Sequence, residues 1–265
     1  MKKSYKIIVS WITLIFILLI AYILLKSRLS DIKNIFDISV YSILLISIMT
    51  FFSISIGGNI FKALVKHYNI SLSINEWLGL TYIVKLTNYL FPIGSTSKAV
   101  YLKKKYNLSF NSFFVITGAT VIIDFFVYSL FGLISVLLLY IYNGFFNLLI
   151  TMIFLILFII TLCIIIIPLR FNESNNKFLN YFVKIINGWT QLKVNKKLLL
   201  KLFLFYVILV ALSTIRYKLI FMTYGIEISI MACTLIYALT RPTLILRLTP
   251  VNLGISEGVI IFAGY

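Results

Sequence analysis

Long apolar runs alternate along this chain with short basic or turn-rich stretches. A bilayer core about 30 Å thick needs roughly 20 helical residues at about 1.5 Å each, and several runs approach or exceed that length. The first is Ile7–Leu25, preceded by Lys2, Lys3 and Lys6. A basic start and an apolar run resemble a signal peptide. This run is long, has no small-residue cleavage pattern and precedes further spans, so a retained anchor is expected. The second covers about Ile38–Ile56 and is closed by Gly57 and Gly58. Two strong runs follow at about Phe113–Tyr140 and Phe146–Pro168, joined by an Asn143-Gly144 turn. Later spans are expected at about Leu202–Leu212 with its flanks, and at about Ile228–Leu246.

Two stretches break this rhythm. From about Ile74 to Tyr106 the chain is more polar, and its apolar run Trp77–Leu90 is too short to cross comfortably. It ends in Phe91-Pro92-Ile93-Gly94-Ser95-Thr96-Ser97-Lys98. Proline and glycine break a helix there, and hydroxyl side chains can cap the next one. Non-helical backbone at membrane depth must be shielded by protein or line a polar cavity. A re-entrant segment is therefore expected. The second stretch is Thr249-Pro250-Val251-Asn252-Leu253-Gly254-Ile255-Ser256-Glu257. The pattern predicts an all-α, polytopic integral membrane helical bundle in one domain, 1–265. It has about six crossings plus two re-entrant or interrupted segments.

Composition strengthens this reading. Hydrophobic residues make up 62% and charged residues 12%, against roughly 45–50% and about 25% in soluble domains. A water-soluble fold is excluded. The 24 Lys plus Arg against 7 Asp plus Glu give +17, a balance that elsewhere suggests nucleic acid. Here the cations collect between spans, as the positive-inside rule requires, and no nucleic-acid partner is expected. The region Arg170–Lys201 holds seven basic residues against Glu173 alone. It and the N-terminus should both be cytoplasmic at the cell membrane. Four strong spans separate them, so Ile74–Tyr106 must enter and leave on one side. Parity and short length thus both favour re-entry.

The chemistry is sparse. Cys163 and Cys233 lie in apolar runs without a CxxC pair, and His67 is the only histidine. No Walker sequence, GxSxG, HExxH or dinucleotide fingerprint occurs, so no cofactor, metal or catalytic set is assigned. Asp124 stands inside Phe113–Tyr140, where an acid is costly unless paired or wet. It is either a proton relay or counter-charge to a bound headgroup, or a structural acid that holds helices together. Lys85 and Lys98 could attract a lipid phosphate with helix-end N–H groups, or could snorkel to the interface. Arg216, Arg241 and Arg247 could each meet a phosphate or mark a helix end. Glu257 could bind a cation or pair with Arg247. Pro/Gly interruptions in both halves of the chain match the pattern that marks transporter binding sites.

The stretch Leu86-Thr87-Asn88-Tyr89-Leu90-Phe91-Pro92-Ile93-Gly94, with Lys98-Ala99-Val100-Tyr101-Leu102-Lys103-Lys104-Lys105 after it, resembles the lysylphosphatidylglycerol synthase transmembrane-region family, a flippase-like membrane family. The Thr249–Gly258 stretch resembles its second signature. By this resemblance Asn88, Pro92 and Gly94 carry over to the first motif, and Pro250, Asn252, Gly254 and Glu257 to the second. Lys98 stands where the family commonly has arginine. Ser95, Thr96 and Ser97 replace a charge often found near the glycines, which puts one contact in doubt. No soluble aminoacyl-transferase domain follows, so lysylphosphatidylglycerol synthesis is not expected. Relatives usually continue past the second motif, and a shortened C-terminus is expected here.

The resulting expectation is translocation or binding of an anionic, phospho- or polyprenyl-phosphate-linked lipid. The expected substrate site is Asn88, Pro92, Gly94, Lys98, Asp124, Asn252, Gly254 and Glu257. An accessory role beside a membrane synthase is one alternative. A membrane-embedded transferase is another, and it requires Asp124 and Glu257 to converge.

Overall fold

The computed structural model describes residues 38–90, 94–168, 170–172 and 177–246. Among them the secondary structure is helical, without strands: α1 Val40–Lys66, α2 Ile74–Leu90, α3 Gly94–Tyr106, α4 Phe110–Asn143, α5 Leu148–Ile166, α6 Lys177–Lys193, α7 Lys196–Thr223 and α8 Ile230–Leu246. Helices α1, α4, α5 and α7 are each long and apolar enough to cross a membrane. The protein is an all-α, multi-pass membrane protein. The expected first span Ile7–Leu25 and the second interrupted segment lie outside the described residues.

Polar residues set the helix starts. Ser39, Ser109, Asn147 and Asn195 each accept a hydrogen bond from the backbone N–H three residues on, and so satisfy a donor with no intrahelical partner. Helix α4 ends at Gly144, whose φ of 66° closes the expected Asn143-Gly144 turn.

Helix boundaries depart from the hydropathy reading in two places. Helix α1 continues through Gly57-Gly58 to Lys66 instead of stopping there. Glycine in a helix costs about 1 kcal/mol against alanine, but packing requires it at this point. A Cβ on Gly58 would lie 2.6 Å from the Trp77 ring of α2. Helix α7 is 28 residues long, because Asn195 caps it well before the apolar run begins.

Helices α2 and α3 form a hairpin. At its tip the Gly94 N–H donates to Asn88 Oδ1 at 3.0 Å. At its base Glu76 accepts from the hydroxyls of Tyr101 and Tyr106, each at 2.9 Å, and pairs with Lys105. The start of α2 and the end of α3 therefore lie side by side. Helix α2 runs antiparallel to α1. Trp77 meets Gly58 and Lys62, while Tyr82 stacks on Phe51 and donates to the Phe51 carbonyl at 3.1 Å. Seventeen residues of α2 span about 25 Å, most of a bilayer core about 30 Å thick.

Helix α4 is central. Its main neighbours are α5, α6, α7 and α8, and it also touches α1 and α3. Tyr206 of α7 donates to the Thr120 carbonyl of α4 at 3.0 Å, and Thr214 of α7 bonds Thr234 of α8 at 3.1 Å. Helix α8 is buried throughout Cys233–Thr240. Amphipathic α6 ties onto the end of α5. Trp189 Nε1 and Lys193 Nζ both donate to the Ile164 carbonyl, at 3.1 and 3.3 Å. A cation over the last carbonyls of a helix also complements its dipole.

Candidate functional site: an arginine clasped by tyrosines

The buried run of α8 ends at Arg241, immediately before Pro242. Its guanidinium meets α4. Nη2 donates to the Tyr128 hydroxyl at 2.8 Å and also to the Tyr237 hydroxyl one turn back on α8. The guanidinium carbon lies 4.8 Å and 4.7 Å from the centroids of the Tyr128 and Tyr237 rings, within the range of cation–π attraction. The two hydroxyls are 3.0 Å apart, and the rings meet edge to face at 5.2 Å. Tyr206 packs edge-on against Tyr128, and Tyr217 lies beside Tyr237. Four aromatic residues from three helices thus build this corner of the core.

The clasp leaves part of the cation unsatisfied. Arg241 Nε is buried and has no hydrogen-bond partner. A buried donor without a partner costs about 1–3 kcal/mol, more for a charged group. Asp124 is one turn before Tyr128 on α4, and Arg241 and Lys85 are the cations whose fields reach its carboxyl. Asp124 and Arg241 do not close to a salt bridge. Among the described residues the one ion pair within 4.0 Å is Lys105–Glu76. The arginine is held by hydroxyls and rings, with an N–H to spare. Such a group can accept an oxyanion without first breaking an ion pair.

The expected site residues divide into three groups. Asn88 and Gly94 meet at the hairpin tip, where each has a structural task. A Cβ on Gly94 would lie 2.6 Å from both Thr87 Oγ1 and the Val84 carbonyl. Lys98, one turn on, rests its ammonium 3.4 Å from the Phe61 ring centroid of α1. Asp124 belongs to the Arg241 corner, where the fields of Arg241 and of Lys85 on α2 reach it. Pro92, Asn252, Gly254 and Glu257 lie outside the described residues. Among the described residues no cluster of three His, Cys, Asp or Glu could hold a metal ion.

Arg241 was legible only as a cation flanking a late span, and its tyrosine partners carried no signal. One pattern was available: Tyr237 precedes Arg241 by one helical turn, and a proline follows it. At the hairpin base, Lys105, the Ser73 N–H and two tyrosines hold the Glu76 carboxyl well below the ordinary carboxylate range. Glu76 in turn pushes the Lys105 ammonium up.

Arginine, acid and hairpin thus sit in one multi-pass helical bundle. A family model described as the lysylphosphatidylglycerol synthase TM region matches residues 6–264. The chain belongs to this family. No curated protein and no solved structure matches it. As a lysylphosphatidylglycerol synthase TM-region protein it is consistent with a role in lipid handling. The match spans the hairpin, the tyrosine-clasped arginine and the stretch Thr249–Gly258 alike.

Proposed function

We propose that this protein binds the anionic headgroup of a phospholipid or polyprenyl-phosphate-linked lipid at Arg241 and moves it between leaflets. The observation that carries the reading is the guanidinium itself, set between helices of the bundle, with no carboxylate within 4.0 Å among the described residues and with Nε unpartnered. Ionisable residues in that position are expensive, and they mark substrate paths by default. The phosphate meets Arg241. Tyr128 and Tyr237 hold the guanidinium in place, and Lys85 adds positive potential from the hairpin. Asp124 balances the charge when the lipid has left.

The hairpin tip and the second motif, with Pro92, Asn252, Gly254 and Glu257, complete the proposed pathway. Orientation follows from charge, with the N-terminus and residues 170–201 cytoplasmic. The base of the hairpin, rich in lysine, then faces the cytoplasm as well.

The test is reconstitution into liposomes with a headgroup-labelled anionic phospholipid and a leaflet-specific quencher. Arg241→Gln is expected to lower the translocation rate at least about tenfold, the equivalent of about 1.4 kcal/mol, and Arg241→Lys to retain part of it. An Arg241→Gln protein that folds normally and translocates at the wild-type rate removes this site assignment.

A further inference from the structure

We propose a second ligand site, separate from Arg241, in the cleft between the start of α4, the face of α6 and the connection after α1. The site takes a phosphorylated polyol, a single phosphate charge carrying a hydroxyl-rich group. The cleft measures about 330 Å³ and is lined by Tyr68, Asn111, Ser112, Lys184 and Gln191, with Asn187 and Gly188 in its wall. That volume is at the small end of the range of ligand pockets. Val115 adds an apolar patch, and the lining as a whole is mixed where the surrounding bundle is apolar.

The chemistry of the lining selects the ligand. Among the described residues that line it, Lys184 is the only cation and none is a carboxylate. One fixed positive charge matches one phosphodiester charge. Asn111 and Gln191 each present both donors and an acceptor, as hydroxyl groups require, because a hydroxyl donates once and accepts twice. The Asn187 amide is already committed, accepting from the Phe171 N–H at 3.0 Å and donating to the Phe171 carbonyl at 2.9 Å. It is frame, not ligand contact. It fixes the chain after α5 against α6 and so keeps the cleft in shape.

The place suits a headgroup. Ser112 precedes Asp124 by twelve residues on one helix, about 18 Å along its axis, so the two sites are distinct. Helix α6 lies where α4 begins and α5 ends, with Leu179 exposed and Trp189 bonded to the end of α5. An amphipathic helix at span ends occupies the interfacial layer. The proposal does not depend on the reading of Arg241.

The experiment uses the full chain in phosphatidylcholine vesicles doped with phosphatidylinositol carrying a photoreactive headgroup. Crosslinks are mapped by peptide mass spectrometry. The expected result is labelling of residues 184–191, reduced about fivefold by Lys184→Gln, as for loss of a contact worth about 1 kcal/mol. Arg241→Gln leaves this labelling intact. Excess soluble inositol phosphate distinguishes the source of the ligand. Competition only at concentrations far above that of the lipid assigns the site to a lipid, and competition at or below the lipid concentration assigns it to the free phosphorylated polyol. Equal labelling by the matching phosphatidylcholine probe, or labelling unchanged in Lys184→Gln, overturns the proposal.

Discussion

Side-chain removal and side-chain addition carry different information here. Gly94 has no room for a methyl group, since three neighbours would lie within 2.8 Å of it. Overpacking of this kind costs about 1–3 kcal/mol. Gly94→Ala is expected to lower the thermal unfolding midpoint in detergent, measured by tryptophan fluorescence, whatever it does to transport. A variant as stable as wild type would mean that the tip relaxes freely and that Asn88 does not fix it. The same comparison separates two kinds of legibility. Asp124 stood out in the sequence because one acid in an apolar run is conspicuous by itself. Tyr128 and Arg241 are 113 residues apart, and nothing local in either neighbourhood announces the other. Lys98 was conspicuous too, but its ammonium lies on the Phe61 ring, a contact that no spacing rule reveals.

At the scale of elements, the hairpin base is an electrostatic knot outside the spans. The folded state holds Glu76 below its ordinary value of 4.5. The carboxylate therefore stabilises the fold fully above that value. The contribution is lost as pH falls from there through the depressed folded value. Lys105 behaves in the opposite sense: its raised value keeps its contribution intact below about 10.5 and loses it at higher pH. Glu76→Gln is expected to flatten the acid limb of a plot of unfolding midpoint against pH while leaving the neutral region shallow. An acid limb as steep as that of wild type would assign the slope to other carboxylates. Span existence was legible from run length alone, and the hairpin from its proline, its glycine and parity. Span ends were less so. Gly57-Gly58 reads as a stop by propensity, and only the Trp77 ring across the interface shows why the helix continues.

For the whole molecule, the charge pattern makes a prediction about sidedness. The Asn143-Gly144 turn carries no charge, whereas the hairpin base and α6 are lysine-rich. Single cysteines at Asn143 and Ser73, in a background lacking Cys163 and Cys233, are expected to react with a membrane-impermeant maleimide from opposite sides of intact cells. Asn143→Cys should label from outside and Ser73→Cys only after permeabilisation. Labelling of both from the same side would break the parity that places the hairpin, and with it the proposed path.

The hairpin is fastened twice, by Asn88 against Gly94 at its tip and by Glu76 against α3 at its base. A beam pinned at both ends has no hinge of its own. Its seam with α1 is lighter, made of rings against glycine, against another ring and under ammonium groups, with the Tyr82 hydroxyl as its tie to the α1 backbone. Any stroke the molecule makes would therefore tilt the hairpin whole. Lys85, carried on that beam, would then move toward or away from Asp124 and Arg241, coupling the tilt to the charge at the centre of the bundle.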